Sequence, residues 1–162
     1  MAKLISEDEE IKSDLELFFL KDKIKNKPSI SWIPYKIILT SGEKKLIYEL
    51  GLKNKGAGDY VLAIKPINEI ENLIDGIKKF LSSKESTIFS FEPNEPSFEL
   101  IFERSHTGYS ATCWLDAGNV ISNHYSWDGF GVRFFTSEKN ILSFVEELSR
   151  EKEELLSNAQ KR

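Results

Sequence analysis

The chain has 162 residues, 40% of them apolar and 12% aromatic, with 22 Lys and Arg against 26 Asp and Glu for a formal net charge of −4. That length is one ordinary domain, able to bury roughly 70% of its unfolded surface without disulfides or structural metal. The aromatic content excludes a disordered tail, and the overall acidity argues against a general nucleic-acid binder.

Chain order gives a first expectation at the N-terminus. Ile11, Leu15, Phe18, Phe19 and Ile24 recur at roughly helical spacing and Pro28 stops the pattern, so residues 1–31 read as an N-terminal helical extension ahead of a single α+β domain over 32–162. Ile33 to Thr40, Lys45 to Lys53 and Tyr60 to Lys65 then read as short strands, separated by Ser41-Gly42 and by Gly56-Ala57-Gly58-Asp59. Ile67, Ile70, Leu73, Ile74, Ile77, Phe80 and Leu81 follow the i, i+3, i+4, i+7 rule, with Asn68 and Glu71 spaced as a capping box, and predict a helix.

Period two returns after Ser82-Ser83. Phe98, Leu100 and Phe102 alternate with Glu99, Ile101 and Glu103, and Tyr109, Ala111, Cys113 and Leu115 alternate with Ser110, Thr112, Trp114 and Asp116. Turns are expected at Asp116 to Asn119 and at Asp128-Gly129. Phe130, Val132 and Phe134 then alternate with Arg133 and Phe135, and a last helix starts near Ser137 and buries Ile141, Phe144, Val145 and Leu148. A shift of 71 positions lays Val61, Ile70, Leu73, Ile74 and Ile77 on Val132, Ile141, Phe144, Val145 and Leu148, which is either a pseudo-repeat of strands plus helix or the coincidence any strand-to-helix pair produces. The expected fold is α+β: an antiparallel β-sheet with two helices packed on one face, plus the N-terminal helix.

Charge is segregated along this order. Residues 21–84 hold thirteen Lys against seven acids, net +6, whereas residues 85–128 hold one Arg against seven acids, net −6. The acidic stretch contains the most regular strands. If its apolar set faces the helices, Glu99, Ile101, Glu103, Thr112, Trp114, Asp116, Arg133 and Phe135 share the opposite face, where aromatic anchors among carboxylates suit recognition of a basic protein. The competing reading covers Trp114 and Phe135 with a further layer, such as the N-terminal helix with Phe18 and Phe19; the carboxylates of Glu99 and Glu103 favour exposure.

Chemical motifs are sparse. His106 and His124 fall in loops, and with Asp116 and Asp128 they compose at most a small-molecule or hydrolytic pocket, without the close ligand repeats that specify a metal. Cys113 lies on the apolar face, as a small core residue rather than a nucleophile, and cannot form an internal disulfide. Gly56-Ala57-Gly58 leads into a strand rather than a helix and reads as a turn; Lys21 to Lys27, alternating with Asp22, Ile24 and Asn26, reads as a solvated helix end and loop. Four acids at 7–10 oppose a secretory signal, and no apolar run approaches the ~18 residues of a membrane span. The expectation is a soluble, cytoplasmic, monomeric protein that is not an enzyme, uses no cofactor, and contacts neither nucleic acid nor membrane directly; a structural or regulatory module docking through residues 7–27 remains the other alternative.

The segment Phe89-Ser90-Phe91-Glu92-Pro93-Asn94-Glu95-Pro96-Ser97-Phe98-Glu99-Leu100 resembles the strand, Glu-Pro-Asn turn and Ser-Phe strand of the WapI-like immunity proteins, bacterial inhibitors of polymorphic contact-dependent toxins. The resemblance covers about residues 34 to 150, with Glu92-Pro93-Asn94 its specific motif. It implies a protein that binds and blocks a cognate toxin domain, commonly a nuclease with a basic cleft. Taken with the charge pattern, it makes Glu99, Glu103, Trp114, Asp116 and Asp128 the expected partner contacts, with Glu92 and Asn94 fixing the turn.

Overall fold

The structure, a computed structural model, describes residues 1–20, 32–49, 61–63, 68–93, 98–116 and 129–160. In chain order these form β1 (Ala2–Ile5), β2 (Ser13–Phe19), β3 (Trp32–Ser41), β4 (Lys44–Glu49), β5 (Val61–Ala63), α1 (Glu69–Ser82), β6 (Ile88–Phe91), β7 (Phe98–Ser105), β8 (Gly108–Asp116), β9 (Gly129–Thr136) and α2 (Glu138–Gln160). The class is α+β, as the patterning predicts. The expected single sheet is instead two antiparallel sheets, ordered β1-β2-β3-β4 and β6-β7-β8-β9, with β5 pairing to the N-terminal end of β3. The Gly56–Asp59 turn, the Lys21–Lys27 segment, Asn94, the turn beyond Asp116, His124 and Asp128 lie outside the described residues.

The expected N-terminal helix is corrected: the described part of residues 1–31 contributes β1 and β2. Leu15 and Phe19 satisfy both a helical and a strand period, so they do not discriminate. Leu17 does, because in a helix it would sit about 160° from the Leu15 and Phe19 stripe, whereas in a strand all three share one face. That face is buried, and β3 supplies matching partners in the pairs Leu15↔Leu39, Leu17↔Ile37 and Phe19↔Tyr35. The opposite face carries Asp14 and Glu16, both of which bind the Lys3 ammonium at 2.9 Å.

β1 is an edge strand, and an open edge invites further pairing. Here side chains of the C-terminal unit close it. Glu147 Oε2 accepts from the Lys3 backbone N–H at 2.7 Å, while Thr136 Oγ1 and Asn140 Nδ2 donate to the Ile5 carbonyl at 2.8 and 3.3 Å. The N-terminal ammonium also meets Glu151 on α2.

α1 begins where Asn68 Oδ1 accepts from the Glu71 N–H at 3.1 Å, the N-cap the spacing predicts, while the Glu71 carboxylate accepts from the Asn68 side-chain amide Nδ2 at 2.9 Å rather than from the backbone N–H of the predicted capping box. Its apolar stripe, Ile70, Leu73, Ile74, Ile77 and Phe80, is buried. Gly76 on α1 faces the Phe89 ring of β6, so that strand and helix approach closely. At the other end of α1, Arg104 of β7 donates to the carbonyls of Phe80 (2.9 Å), Leu81 (3.1 Å) and Ser83 while lying over the Phe80 and Tyr109 rings. A cation there complements the helix C-terminus.

Both units therefore run as an antiparallel meander into a helix, which gives the 71-residue echo a structural counterpart in the buried stripes of α1 and α2. Each helix also reaches across, α1 to β6 and α2 to β1. Lys152 of α2 bonds Glu71 of α1 at 2.5 Å, and Tyr35 of β3 meets Phe98 of β7 edge-on with centroids 5.3 Å apart. The two sheets and two helices thus share one hydrophobic core.

A candidate partner-binding face on the second sheet

The alternation of β7, β8 and β9 turns Phe98, Leu100, Phe102, Ala111, Cys113, Leu115 and Phe134 into the core. Burial pushes the Cys113 thiol well above its ordinary pKa, which removes it as a nucleophile. The other face is exposed at its large apolar residues, although Ser110 and Thr112 of β8 are buried on it. Trp114 is 44% exposed, Phe135 66% and Ile88 57%, so the layer expected to cover Trp114 and Phe135 in the competing reading does not do so. Phe18 and Phe19 belong to β2 of the first sheet.

Register arranges this face in rows. Ile88, Glu103, Ser110 and Phe135 form one; Ser90, Ile101, Thr112 and Arg133 the next; Glu99, Trp114 and Gly131 the third; Asp116 pairs with Gly129 at the end of the sheet. Glu99, Glu103 and Trp114 are thus brought onto one surface, as expected. The backbone of Asp116 is placed at its rim, its side chain lying outside what the structure describes, and Asp128 lies outside it altogether.

The carboxylates differ in how they are held. Glu103 Oε2 accepts from Arg133 Nη2 at 2.5 Å and from Ser110 Oγ at 3.2 Å, a charge-assisted pair that neutralises it. Glu99 Oε1 accepts from the neutral Ser90 hydroxyl at 2.8 Å. Arg104, the only cation of residues 85–128, is engaged at the C-terminus of α1 and offers this face nothing. Among the described residues the face is left with aromatic area, one carboxylate–guanidinium pair and one carboxylate paired to a hydroxyl.

Gly129 and Gly131 escape the sequence reading as site residues. They occupy the outward positions of β9, and the Trp114 indole lies against them: a Cβ on Gly131 would stand 2.6 Å from Trp114 Cε3, and one on Gly129 would stand 3.6 Å from it. Glycine beside a large aromatic on the next strand is a recurrent means of covering exposed strand backbone. The signal was present in the period-two placement of both glycines, opposite Asp116 and Trp114, but read alone they suggest only a flexible turn.

The alternative pocket of His106, His124, Asp116 and Asp128 is not assembled from its described members. His106 sits in the two-residue turn that joins Ser105 to Gly108, exposed, at one end of the sheet. β8 runs Gly108–Asp116, and at about 3.3 Å per residue its ends stand roughly 26 Å apart, beyond the reach of any shared ligand. Among the described residues no group of three or more His, Cys, Asp or Glu is placed to hold a metal, and no helix is long and apolar enough to cross a membrane. Comparison with protein-family models, curated proteins and solved structures gives no match to this chain.

Proposed function

We propose that this chain is a protein-binding module that recognises a basic partner through the outer face of its second sheet, and that the partner is a bacterial toxin domain which it neutralises as an immunity protein. The observation that carries the binding reading is the exposure of Trp114 and Phe135 on a sheet face whose carboxylates include Glu99, held by a hydroxyl rather than by a cation. Rigid aromatic area supplies desolvated contact at low entropic cost, and neighbouring charge selects and steers the partner. The immunity role rests on the resemblance of Phe89 to Leu100 to the WapI-like proteins. β6 and β7, which flank Glu92-Pro93-Asn94, are an antiparallel pair that forms the border of this same face.

A nuclease toxin presents a basic cleft to the phosphate backbone, and an acidic face is suited to fill it. The test is calorimetric titration against the C-terminal domain of a large secreted protein encoded beside this gene. Trp114→Ala should cost about 2 kcal/mol, roughly thirtyfold in Kd, if the indole is an anchor. Unchanged affinity in Trp114→Ala and in the double variant Glu99→Lys, Glu103→Lys would rule this face out.

A further inference from the structure

We propose that Trp114 and Glu99 together form a receptacle for one guanidinium group, an arginine side chain of the partner, which stacks on the exposed indole and bonds the carboxylate beside it. The inference rests on the binding role given above and specifies its chemistry.

The backbone decides how the indole lies. The Glu7 N–H donates to the Phe135 carbonyl at 2.9 Å, so the Phe135 backbone points away from β8. The β8–β9 register is one-to-one from Tyr109↔Thr136 to Asp116↔Gly129, so the alternation carries through and makes Trp114↔Gly131 a pair without mutual hydrogen bonds. Such pairs are the close kind, about 4.5 Å between Cα atoms, and Trp114↔Glu99 on the other side is then the wider kind, about 5.5 Å. The indole leans onto Gly131, where no side chain opposes it, with Cε3 and Cδ2 at 2.6 and 3.0 Å from the place a Cβ would take. The Cε3–Cδ2 side of the indole is thus set against β9. Trp114 nonetheless keeps 44% of its surface exposed.

The faces of the exposed indole are electron-rich, and Glu99 is its neighbour in the same row, its Oε1 accepting from the Ser90 hydroxyl of β6 at 2.8 Å. The nearest cation of the sheet, Arg133, belongs to the next row and is drawn the other way, to Glu103 and Ser110. Among the described residues the guanidinium–ring contacts are both made by Arg104, to Phe80 and Tyr109, and none is made to Trp114. The two elements a guanidinium needs, a flat π-surface and a carboxylate, stand on neighbouring strands, and among the described residues neither is paired with a cation, the Glu99 carboxylate being held by the neutral Ser90 hydroxyl. Arginine fits better than lysine, because its plane stacks on the ring while its edge presents paired N–H donors to the carboxylate.

The test needs no toxin. The Trp114 indole N–H resonance, assigned by its loss in Trp114→Phe, is followed while N-acetyl-arginine amide, N-acetyl-lysine amide or N-acetyl-citrulline amide is added to the full chain. The expected result is a saturable shift with the arginine compound, several-fold weaker binding with lysine, little with neutral citrulline, and about a fivefold loss for arginine in Glu99→Gln, as for an exposed charge-assisted contact. Equal responses to arginine and citrulline, or an unchanged response in Glu99→Gln, would overturn the receptacle. In that event a loss of toxin-domain binding by Trp114→Ala would still stand for the face as an interface, so the two ideas fail separately.

Discussion

Replacing Gly131 by alanine, with Gly129→Ala as its control, interrogates the slot beneath Trp114. Both substitutions add one methyl group to the same face of the same strand, two residues apart. Removing a glycine stabilises by about 0.4–1 kcal/mol through the unfolded chain, where the native backbone tolerates the change. At Gly129 the new Cβ meets the Leu115 carbonyl oxygen at 3.5 Å and Trp114 Cε3 at 3.6 Å, ordinary contacts, so the gain should survive. At Gly131 it would stand 2.5 Å from the Cys113 carbonyl oxygen and 2.6 Å from Trp114 Cε3. The indole can tilt away, but the carbonyl belongs to the paired strand and moves only if β8 and β9 part. Overpacking of this kind costs typically 1–3 kcal/mol, so Gly131→Ala should lose about 1–2 kcal/mol net and differ from Gly129→Ala by roughly 2 kcal/mol. Urea unfolding read by far-ultraviolet circular dichroism measures both. Equal stabilities for the two variants would refute the slot and, with it, the placement of the ring against β9.

At Gly76 a Cβ would overlap Cε2 and Cζ of Phe89, so Gly76→Ala should lose about 1 kcal/mol although alanine favours the helix by about as much; in a Phe89→Leu background the same change should stabilise, and an identical effect in both backgrounds would dismiss the contact. Glu147→Ala should cost about 1–2 kcal/mol and speed amide exchange at Lys3, whose N–H loses its acceptor at the sheet edge; unaltered exchange at Lys3 would speak against that closure. The hydrogen bond and charge of Lys152 hold the Glu71 carboxyl below its ordinary pKa. Such a group stabilises the fold above the ordinary glutamate range and loses that contribution as pH falls through its lowered value, so the stability gap between wild type and Glu71→Gln should be present at pH 7 and shrink as pH falls below the ordinary glutamate range. A gap independent of pH would contradict the sign.

Where burial falls on one side of a long element, the pattern of residues was sufficient. α1 and α2 follow from their apolar stripes, and β7 and β8 from strict alternation, which also assigned Trp114, Glu99 and Glu103 to one outward face. The N-terminus misled because Leu15 and Phe19 fit two periods, and the choice between them lay in β3, about twenty residues on, whose inward Leu39, Ile37 and Tyr35 complete the strand pairing. The division into two sheets depends on the same kind of non-local pairing, which no local period encodes. At the candidate site, the glycines supporting the indole acquire meaning only in register with Trp114, and the inward turn of Arg104 follows from where α1 ends. Neither is visible in spacing along the chain.

The most direct measurement is the calorimetric titration of the neighbouring toxin domain with wild type, Trp114→Ala, and the double variant Glu99→Lys, Glu103→Lys, each at about 50 and 300 mM salt, since contacts steered by exposed charge weaken as the Debye length shortens. The expected result is binding that weakens with salt for wild type, a loss of about thirtyfold in Trp114→Ala with the salt dependence retained, and a larger loss with reduced salt dependence in the double variant. Tight binding by all three proteins, or no binding by folded wild type to a folded toxin domain, would contradict recognition through this face.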